Sequence, residues 1–277
     1  MKKIVATCIA LLFAFTLVLA QNKETRKVDT FTKIAFRVPG KLYLKQGSEQ
    51  KVELQGDSDV LSEIETEVSG GRLSIGREDS WRVWRDWDDN KITVYITVKD
   101  IEGISVSGSG DLVSDGLLKT GDLDLTVSGS GSLRIEINAS GMMEANVSGS
   151  GDIDVQGNCR SLESKVSGSG KVNYAGNIAD RADVNISGSG KIVASGTARM
   201  IKTTISGSGE VRAANLEVEK CEVRISGSGD VQINVRSELD ATISGSGSVS
   251  YKGNPSQVNS HSSGSGKVRK LRSDSGI

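Results

Sequence analysis

The sequence is poor in the residues that build most catalytic and nucleic-acid-binding sites. Histidine occurs once in 277 residues, as His261, which leaves little from which to form a zinc site or a Ser-His-Asp triad. The formal net charge is −1, so no excess of positive charge is available for phosphate contacts. We therefore expect no catalytic residues, no metal, no cofactor and no nucleic acid, and we expect that the protein is not an enzyme.

Aromatic residues (4%) and proline (two residues) are also scarce, whereas glycine occurs 33 times. This composition favours tightly stacked β-turns over a helical bundle. A disordered Gly/Ser linker would have a similar glycine content, but here the aliphatic residues recur on a fixed pattern, which is not expected of a linker.

The long hydrophobic run of the chain lies at its start. Lys2 and Lys3 precede the apolar residues 4–19, and the small residue Ala20 precedes Gln21. This arrangement predicts that residues 1–20 are a secretory signal peptide, the alternative being a retained anchor. The run is short for a bilayer span, so we expect cleavage, no membrane span afterwards and export to the periplasm, the cell surface or the medium. Loss of both lysines lowers the formal net charge to −3.

Cysteine occurs three times, and only Cys159 and Cys221 follow the predicted cleavage site. They lie about three repeats apart, which corresponds to about 14 Å along a stack of strands. A disulfide needs Cα atoms within about 7 Å of each other. We therefore predict two free thiols.

The tetrapeptide Ser-Gly-Ser-Gly occurs nine times within residues 104–268, at spacings of 18 to 21 residues. A period of about 20 residues is typical of stacked structural units. The opening serines are Ser107, Ser128, Ser148, Ser167, Ser187, Ser206, Ser226, Ser244 and Ser263.

The residues around each tetrapeptide share a phase. With the opening serine as position zero, positions −1 and +5 are aliphatic in nearly every copy, as in Val127 and Leu133. Alternate residues of a strand face opposite sides, so these odd positions predict the core. The same parity places both glycines inward and both serines outward; a bend inside the tetrapeptide would instead bury the serines. The fold class predicted is all-β, a single-domain right-handed parallel β-helix of about 20-residue coils.

Residues 21–103 are predicted to form irregular N-terminal coils that cap this solenoid, followed by regular coils over residues 104–268 and a tail over 269–277. The segments Phe36–Leu42 and Val68–Leu73 resemble worn copies of the repeat. The span Asp57–Ile64 is the plausible helix, with Asp57 or Ser58 as its N-cap.

All three tryptophans lie between Ile75 and Ile92, in a segment that also carries two arginines between them. Tryptophan offers a large rigid face with one polar group, so this segment is a candidate platform for a sugar or a partner surface. The alternative is a loop that folds over the end of the solenoid with its arginines stacked on the rings. The candidate ligand-binding residues are Trp81, Trp84, Trp87, Arg82 and Arg85.

Taken together, these segments resemble the family of exported bacterial proteins named putative auto-transporter adhesin, head GIN domain. The resemblance rests on the strands over residues 31–54, on the element at residues 68–75, on the strand Ile92–Val98 and on the serial Ser-Gly-Ser-Gly coils. It implies a right-handed parallel β-helix, export and a role in adhesion, with no catalytic residues.

Three functions fit the sequence. The first is an adhesin-like binding module of the cell envelope whose partner is a glycan or an envelope or surface protein. The second is a carbohydrate-active β-helix enzyme, which would need several carboxylates on neighbouring coils along a groove. The third is a structural spacer without a ligand. The sequence leaves the oligomeric state open.

Overall fold

The computed structural model describes residues 22–77 and 92–271, which form β-strands and one short helix. The N-terminal elements are β1 (Asn22–Arg26), β2 (Lys33–Phe36), β3 (Lys41–Gln46), β4 (Lys51–Gly56), α1 (Ser58–Ser62), β5 (Glu65–Ser69), β6 (Arg72–Gly76) and β7 (Ile92–Val98). The next are β8 (Gly103–Gly108), β9 (Asp111–Thr120), β10 (Leu123–Gly129), β11 (Ser132–Ala139), β12 (Met142–Gly149), β13 (Asp152–Asn158), β14 (Ser161–Gly168) and β15 (Lys171–Asn177). The last are β16 (Arg181–Gly188), β17 (Lys191–Gly207), β18 (Glu210–Gly227), β19 (Asp230–Gly245), β20 (Ser248–Lys252), β21 (Gln257–Gly264) and β22 (Lys267–Lys270).

These strands form a parallel β-solenoid with coils of about 20 residues, as the repeat predicts. In each regular coil one strand leads into the Ser-Gly-Ser-Gly motif and another follows it. The leading strands stack in register as a first face, where Ser128 pairs with Ser107 and Ser148. The following strands stack as a second face, where Leu133 pairs with Leu112 and Ile153. Strands β17 to β19 continue through both faces of a coil.

The core fills the space between the faces, and the odd positions of the repeat supply it. Val127 and Leu133, at positions −1 and +5 of one copy, are buried, and so are their counterparts in the preceding and following coils. Such aliphatic residues stack on their counterparts one coil away, so each coil completes its core with the side chains of its neighbours.

The serines of the motif point outward, as predicted, whereas the two glycines differ. Gly131, the second glycine of its copy, is buried, and a Cβ on it would lie 2.9 Å from Val106 Cγ1 of the preceding coil. Gly129, the first glycine, has a φ of +113° and is not buried; a Cβ there would lie 2.7 Å from the carbonyl oxygen of Gly108. The prediction that both glycines face the core is therefore wrong for the first. That glycine is required because its backbone is left-handed and lies against the coil before it.

One of the two worn copies is a coil and the other is not. Phe36 pairs with Val106 and Leu42 with Leu112, so β2 and β3 form a coil in phase with the regular ones. Val68–Leu73 instead belongs to the antiparallel hairpin of β5 and β6. Its two-residue turn holds Gly70 and Gly71 at φ of +58° and +74°, as a hairpin turn of this kind requires. The prediction of a repeat copy there is wrong.

The order of the coils at the N-terminal end differs from the order of the chain. Strand β6 pairs with β2 and β7 pairs with β3, so the coil of β6 and β7 lies outside the coil of β2 and β3. Strand β4 then pairs antiparallel with β7, and β1 pairs antiparallel with β4, so that both extend the second face. Helix α1 lies within the predicted helical span, with Asp57 at the N-cap position and Leu61 buried.

The C-terminal coil is open. All of β21 is exposed, and Val258, at an inward phase, keeps 40% of its surface accessible. Ser260 and Ser262 occupy the other inward phases of this strand. Further inside, Cys159 and Cys221 are buried free thiols, as predicted.

Candidate functional site

The predicted ligand-binding residues Trp81, Trp84, Trp87, Arg82 and Arg85 lie outside the described residues, so their arrangement stays a prediction. The strands on either side show where their segment joins the solenoid. Ile75 pairs with Phe36, and Thr93 pairs with Lys41.

In the coil of β2 and β3, residues 37–40 connect the first face to the second. In the coil of β6 and β7, which lies outside it, residues 76–92 make the same connection. The tryptophan segment therefore begins and ends where the regular coils carry Ser-Gly-Ser-Gly. Its two ends belong to the outermost parallel coil at the N-terminal end.

Two tyrosines that are not among the predicted ligand-binding residues lie on the second face of this same end. Tyr43 and Tyr95 are paired in register, and their rings stack with centroids 5.5 Å apart and planes 16° from parallel. The ammonium group of Lys23 lies 5.1 Å from the centre of the Tyr95 ring. Tyr43 has 36% of its surface exposed.

A charged cluster adjoins the tyrosines. The carboxylate of Glu53 lies 2.8 Å from the Lys51 ammonium and 3.2 Å from that of Lys23. The hydrogen bond from Lys51 is the main cause that lowers the pKa of Glu53, and Lys23 adds to it. The outward phase of Tyr43, between the core residues Leu42 and Leu44, is the sequence signal that could have identified this surface.

A groove of about 740 Å³ runs along the entrance to the first face. We call it the N-terminal groove; its charged lining includes Lys33, Arg72, Asp100, Glu102, Asp124 and Glu144. It crosses strands β6, β2, β8, β10 and β12, which lie side by side in that order.

Four charged residues of the groove are Asp100, Glu102, Lys119 and Asp122. The others belong to one row of outward positions, which consists of the fourth residue before each opening serine and the residues of β2 and β6 that pair with it in register. We call it the −4 row. In spatial order it presents Arg72, Lys33, Gly103, Asp124 and Glu144. Two cations thus face two carboxylates across a position that has no side chain. A Cβ on Gly103 would lie 3.3 Å from Lys33 Cγ, so the lysine stem leans over the glycine.

The charged side chains of the groove differ in whether they already have an ion pair or a hydrogen bond. Within the described part of the chain, Arg72 and Lys33 form no ion pair. Asp124 accepts a hydrogen bond from the Thr126 hydroxyl at 3.3 Å, whereas Glu144 accepts one from Asn146 at 2.9 Å and lies 3.7 Å from the Lys165 ammonium.

Other groups bear on whether the chain has chemical activity. Over residues 22–77 and 92–271 no cluster of three or more His, Cys, Asp or Glu side chains is suited to hold a metal ion. His261 is exposed on β21, in the open last coil.

No helix in the described ranges is long and apolar enough to cross a membrane.

Comparison with solved structures shows the same fold in bacterial proteins. One is described as a putative lipid binding protein from Parabacteroides distasonis; it is 24% identical over 91% of this chain and 97% of its own, with a TM-score of 0.67. A putative adhesin from Parabacteroides merdae is 22% identical over 91% and 96%, with a TM-score of 0.68. A second putative adhesin from Parabacteroides distasonis is 20% identical over 90% and 96%, with a TM-score of 0.68. No curated protein sequence matches the chain.

Comparison with protein families gives a match over most of the chain. Residues 30–192 and again 177–255 match the family described as putative auto-transporter adhesin, head GIN domain. The matched residues run from just before β2 to just beyond β20. The chain belongs to this adhesin family.

Proposed function

We propose that the protein is an exported, non-catalytic, adhesin-like binding module of the bacterial cell envelope, and that its partner is a glycan or a surface protein. Membership of the adhesin family and the signal-like residues 1–20 support export and binding. The periplasm, the cell surface and the medium are all compatible with this proposal.

The observation that carries the proposal is the attachment of the tryptophan segment to the outermost parallel coil. Residues 76–92 replace a four-residue connection there, while the body of the solenoid is held by in-register pairing. A partner that approaches this end along the solenoid axis would not have to pass the regular coils. Trp81, Trp84 and Trp87 would provide flat apolar contacts, and Arg82 and Arg85 hydrogen-bond donors.

The stacked tyrosines support a binding surface at the same end of the molecule. Tyr95 lies three residues after Ile92, where the chain returns from the tryptophan segment to β7. Aromatic residues and lysines are therefore present on the second face next to the point of return. Such surfaces, with apolar rings and polar hydrogen-bonding groups side by side, suit sugar rings and protein surfaces alike.

The test is a binding assay of the chain from Gln21 onward on a glycan array and on bacterial and host cells with and without protease treatment. Three proteins are compared: wild type, the triple variant Trp81→Ala, Trp84→Ala, Trp87→Ala, and the control Tyr251→Ala. Tyr251 is a partly exposed aromatic residue on β20, near the opposite end. Circular dichroism checks that all three proteins fold.

Binding by wild type and control, lost in the triple variant, supports the proposal. Protease-resistant cell binding indicates a glycan and protease-sensitive binding a surface protein. No binding by any of the three proteins favours the structural spacer. Equal binding by all three refutes the role of the tryptophans.

A carbohydrate-active enzyme is the second candidate, because the N-terminal groove has carboxylates on neighbouring coils. Asp124 and Glu144 are in register, and Asp122 lies nearby, but the Oδ1 atom of Asp122 accepts the main-chain N–H of Met142 at 2.8 Å. The test is release of reducing ends or unsaturated sugars from acidic and neutral polysaccharides. Turnover that Asp124→Asn abolishes would establish an enzyme; absence of turnover leaves the binding module.

A further inference from the structure

We propose that the N-terminal groove binds a small zwitterionic ligand, with an anionic group held by Arg72 and Lys33 and an ammonium group held by Asp124. This site goes beyond the function proposed above, because it lies on the first face and uses none of the tryptophans. Three observations carry the proposal: the gap at Gly103, the lack of a described ion pair at Arg72, Lys33 and Asp124, and the opposite charges of the −4 row on the two sides of the gap.

The gap follows from the register of the strands. Lys33 and Asp124 each pair with Gly103, from opposite sides. Because neighbouring strands are about 4.8 Å apart, the backbones of these two residues are separated by about 10 Å. No described ion pair links them within 4.0 Å, and the position between them has no side chain to connect them. A ligand with two opposite charges could make that connection.

Three other carboxylates of the −4 row have ion pairs, whereas within the described residues Asp124 has none, and neither does Asp240, which accepts a hydrogen bond from Asn259 instead. Further along the row, the carboxylate of Glu163 lies 2.5 Å from Lys165, that of Asp183 lies 2.6 Å from Arg181 and that of Glu222 lies 2.6 Å from Arg224. Each of these carboxylates therefore has a cation two residues away on its own strand. At the equivalent position beside Asp124 stands Thr126, which offers a hydroxyl at 3.3 Å. The carboxylate of Asp124 keeps acceptor capacity that a ligand ammonium can use.

The cationic side of the groove suits a phosphate or a carboxylate. Arg72 presents a planar set of donors that matches two oxygens of such a group, and Lys33 adds a mobile ammonium. Both side chains are accessible, and neither has an ion pair within the described residues. Beyond Asp124, the Met142 side chain lines the groove with 45% of its surface exposed, so methylene groups of a ligand would have an apolar contact there.

A ligand of the phosphoethanolamine type carries both groups, a phosphate for Arg72 and Lys33 and an ammonium for Asp124. A lipid headgroup and a phosphoethanolamine group on a glycan have this chemistry in common. The groove is open along one side of the solenoid, so the chain attached to either group could extend into solvent. Vesicles and the soluble headgroup, used as separate probes, distinguish these two sources.

The first experiment is isothermal titration calorimetry at low salt with O-phosphoethanolamine, inorganic phosphate and ethanolamine as separate probes, using the full chain from Gln21 onward. We expect O-phosphoethanolamine to bind about tenfold more tightly than either fragment, because only it engages both sides. Phosphate that binds as tightly as O-phosphoethanolamine would overturn the proposal, as would no binding of O-phosphoethanolamine.

Charge reversal then tests the two sides separately. Arg72→Glu and Asp124→Lys should each weaken binding of O-phosphoethanolamine by about tenfold or more. The matched control is Lys202→Glu, because Lys202 is also a −4-row lysine without a described ion pair, but it lies outside the groove. An equal loss in Lys202→Glu would show a nonspecific charge effect and refute the site.

Filling the gap is the test that does not remove a binding residue. Gly103 has an ordinary φ, and the atom nearest to a Cβ there belongs to the flexible Lys33 side chain, so the position tolerates a side chain. Gly103→Glu would place a carboxylate next to Lys33 and complete the row. We expect binding to be lost with the melting temperature unchanged or raised. Retained binding in this folded variant would contradict the proposal.

Vesicles containing phosphatidylethanolamine identify the source. Binding to these vesicles that free O-phosphoethanolamine displaces, and that Arg72→Glu weakens, indicates a lipid headgroup. Binding of O-phosphoethanolamine in solution without vesicle binding indicates a glycan-linked or free ligand. The tryptophan triple variant should bind O-phosphoethanolamine like wild type, which separates this site from the one proposed for adhesion.

Discussion

The side chain of Val127 occupies the space that a Cβ on Gly151 would need: such an atom would lie 2.5 Å from Val127 Cγ1. The two residues belong to consecutive coils, as position −1 of one copy and position +3 of the next. The same contact recurs along the stack, for example between Ile205 and Gly229, where the distance would be 2.6 Å. The second glycine of the motif thus gives room for the aliphatic residue of the coil before it.

Gly151→Ala should therefore destabilise the protein, by about 1–3 kcal/mol, since it overpacks the interior. Gly121→Ala is the control, because a Cβ on Gly121 would meet no atom within 4 Å. Thermal unfolding followed by circular dichroism measures both. A melting temperature of Gly151→Ala equal to that of Gly121→Ala would contradict the contact.

Much of the solenoid is predictable from the sequence because each coil repeats one phase. Residues at odd offsets, such as Val127, are buried as the alternation predicts. The role of the first glycine was not predictable from parity, because Gly129 is oriented along the stack and its left-handed φ interrupts the alternation. The two glycines Gly70 and Gly71 likewise resemble the repeat motif in sequence. They form a hairpin turn in which the chain reverses direction, whereas Ser-Gly-Ser-Gly continues a coil.

The N-terminal groove could not be predicted from the sequence, because it depends on the order of coils. Arg72 follows Lys33 by 39 positions and precedes Gly103, yet in space the order is Arg72, Lys33, Gly103. Arg72 and Lys33 lie side by side next to Gly103 only because β6 lies outside β2 in the stack. The tryptophan segment shows the reverse situation: the sequence identifies it, while its arrangement lies outside the described residues.

Glu210 provides a prediction for pH dependence. Its carboxylate lies 2.5 Å from Arg212 and 2.8 Å from Lys191 of the preceding coil. The hydrogen bond from Arg212 is the main cause that lowers the pKa of Glu210, and Lys191 adds to it. A lowered folded-state pKa stabilises the fold above the unfolded-state pKa, about 4.3, and this stabilisation is lost as the pH falls through the folded-state value.

Glu210→Gln should accordingly lower the melting temperature at pH 7 and have little effect near pH 3. Glu219→Gln is the control, since exposed Glu219 forms no ion pair within the described residues. Thermal unfolding of the three proteins at both pH values measures the difference. A Glu210→Gln effect that is equal at both values would show that the ion pairs do not contribute.

The two buried thiols should be inert in the folded protein. Burial raises the pKa of Cys221, and it raises that of Cys159 despite the contact of its sulfur with the Tyr174 hydroxyl at 3.4 Å. The thiolate is the reactive form, so both thiols should resist an aromatic disulfide reagent at pH 8 and react once the chain is denatured. The raised pKa also predicts that stability falls as the pH rises above about 8.5, where unfolded thiols ionise. A thiol that reacts at the same rate with and without denaturant would contradict this burial.

A pair of core positions one coil apart gives the sharpest test of polar burial. The hydroxyl of Thr203 is buried and has no hydrogen-bond partner among residues 22–77 and 92–271, and its in-register neighbour is Val184. Burial of an unpaired hydroxyl costs about 1–3 kcal/mol, and valine has nearly the same shape as threonine. Thr203→Val should therefore raise the melting temperature, whereas Val184→Thr, the same exchange in reverse, should lower it. Because both substitutions change the same atoms at neighbouring levels of one stack, a lowered melting temperature in both variants would mean that the Thr203 hydroxyl is satisfied in solution.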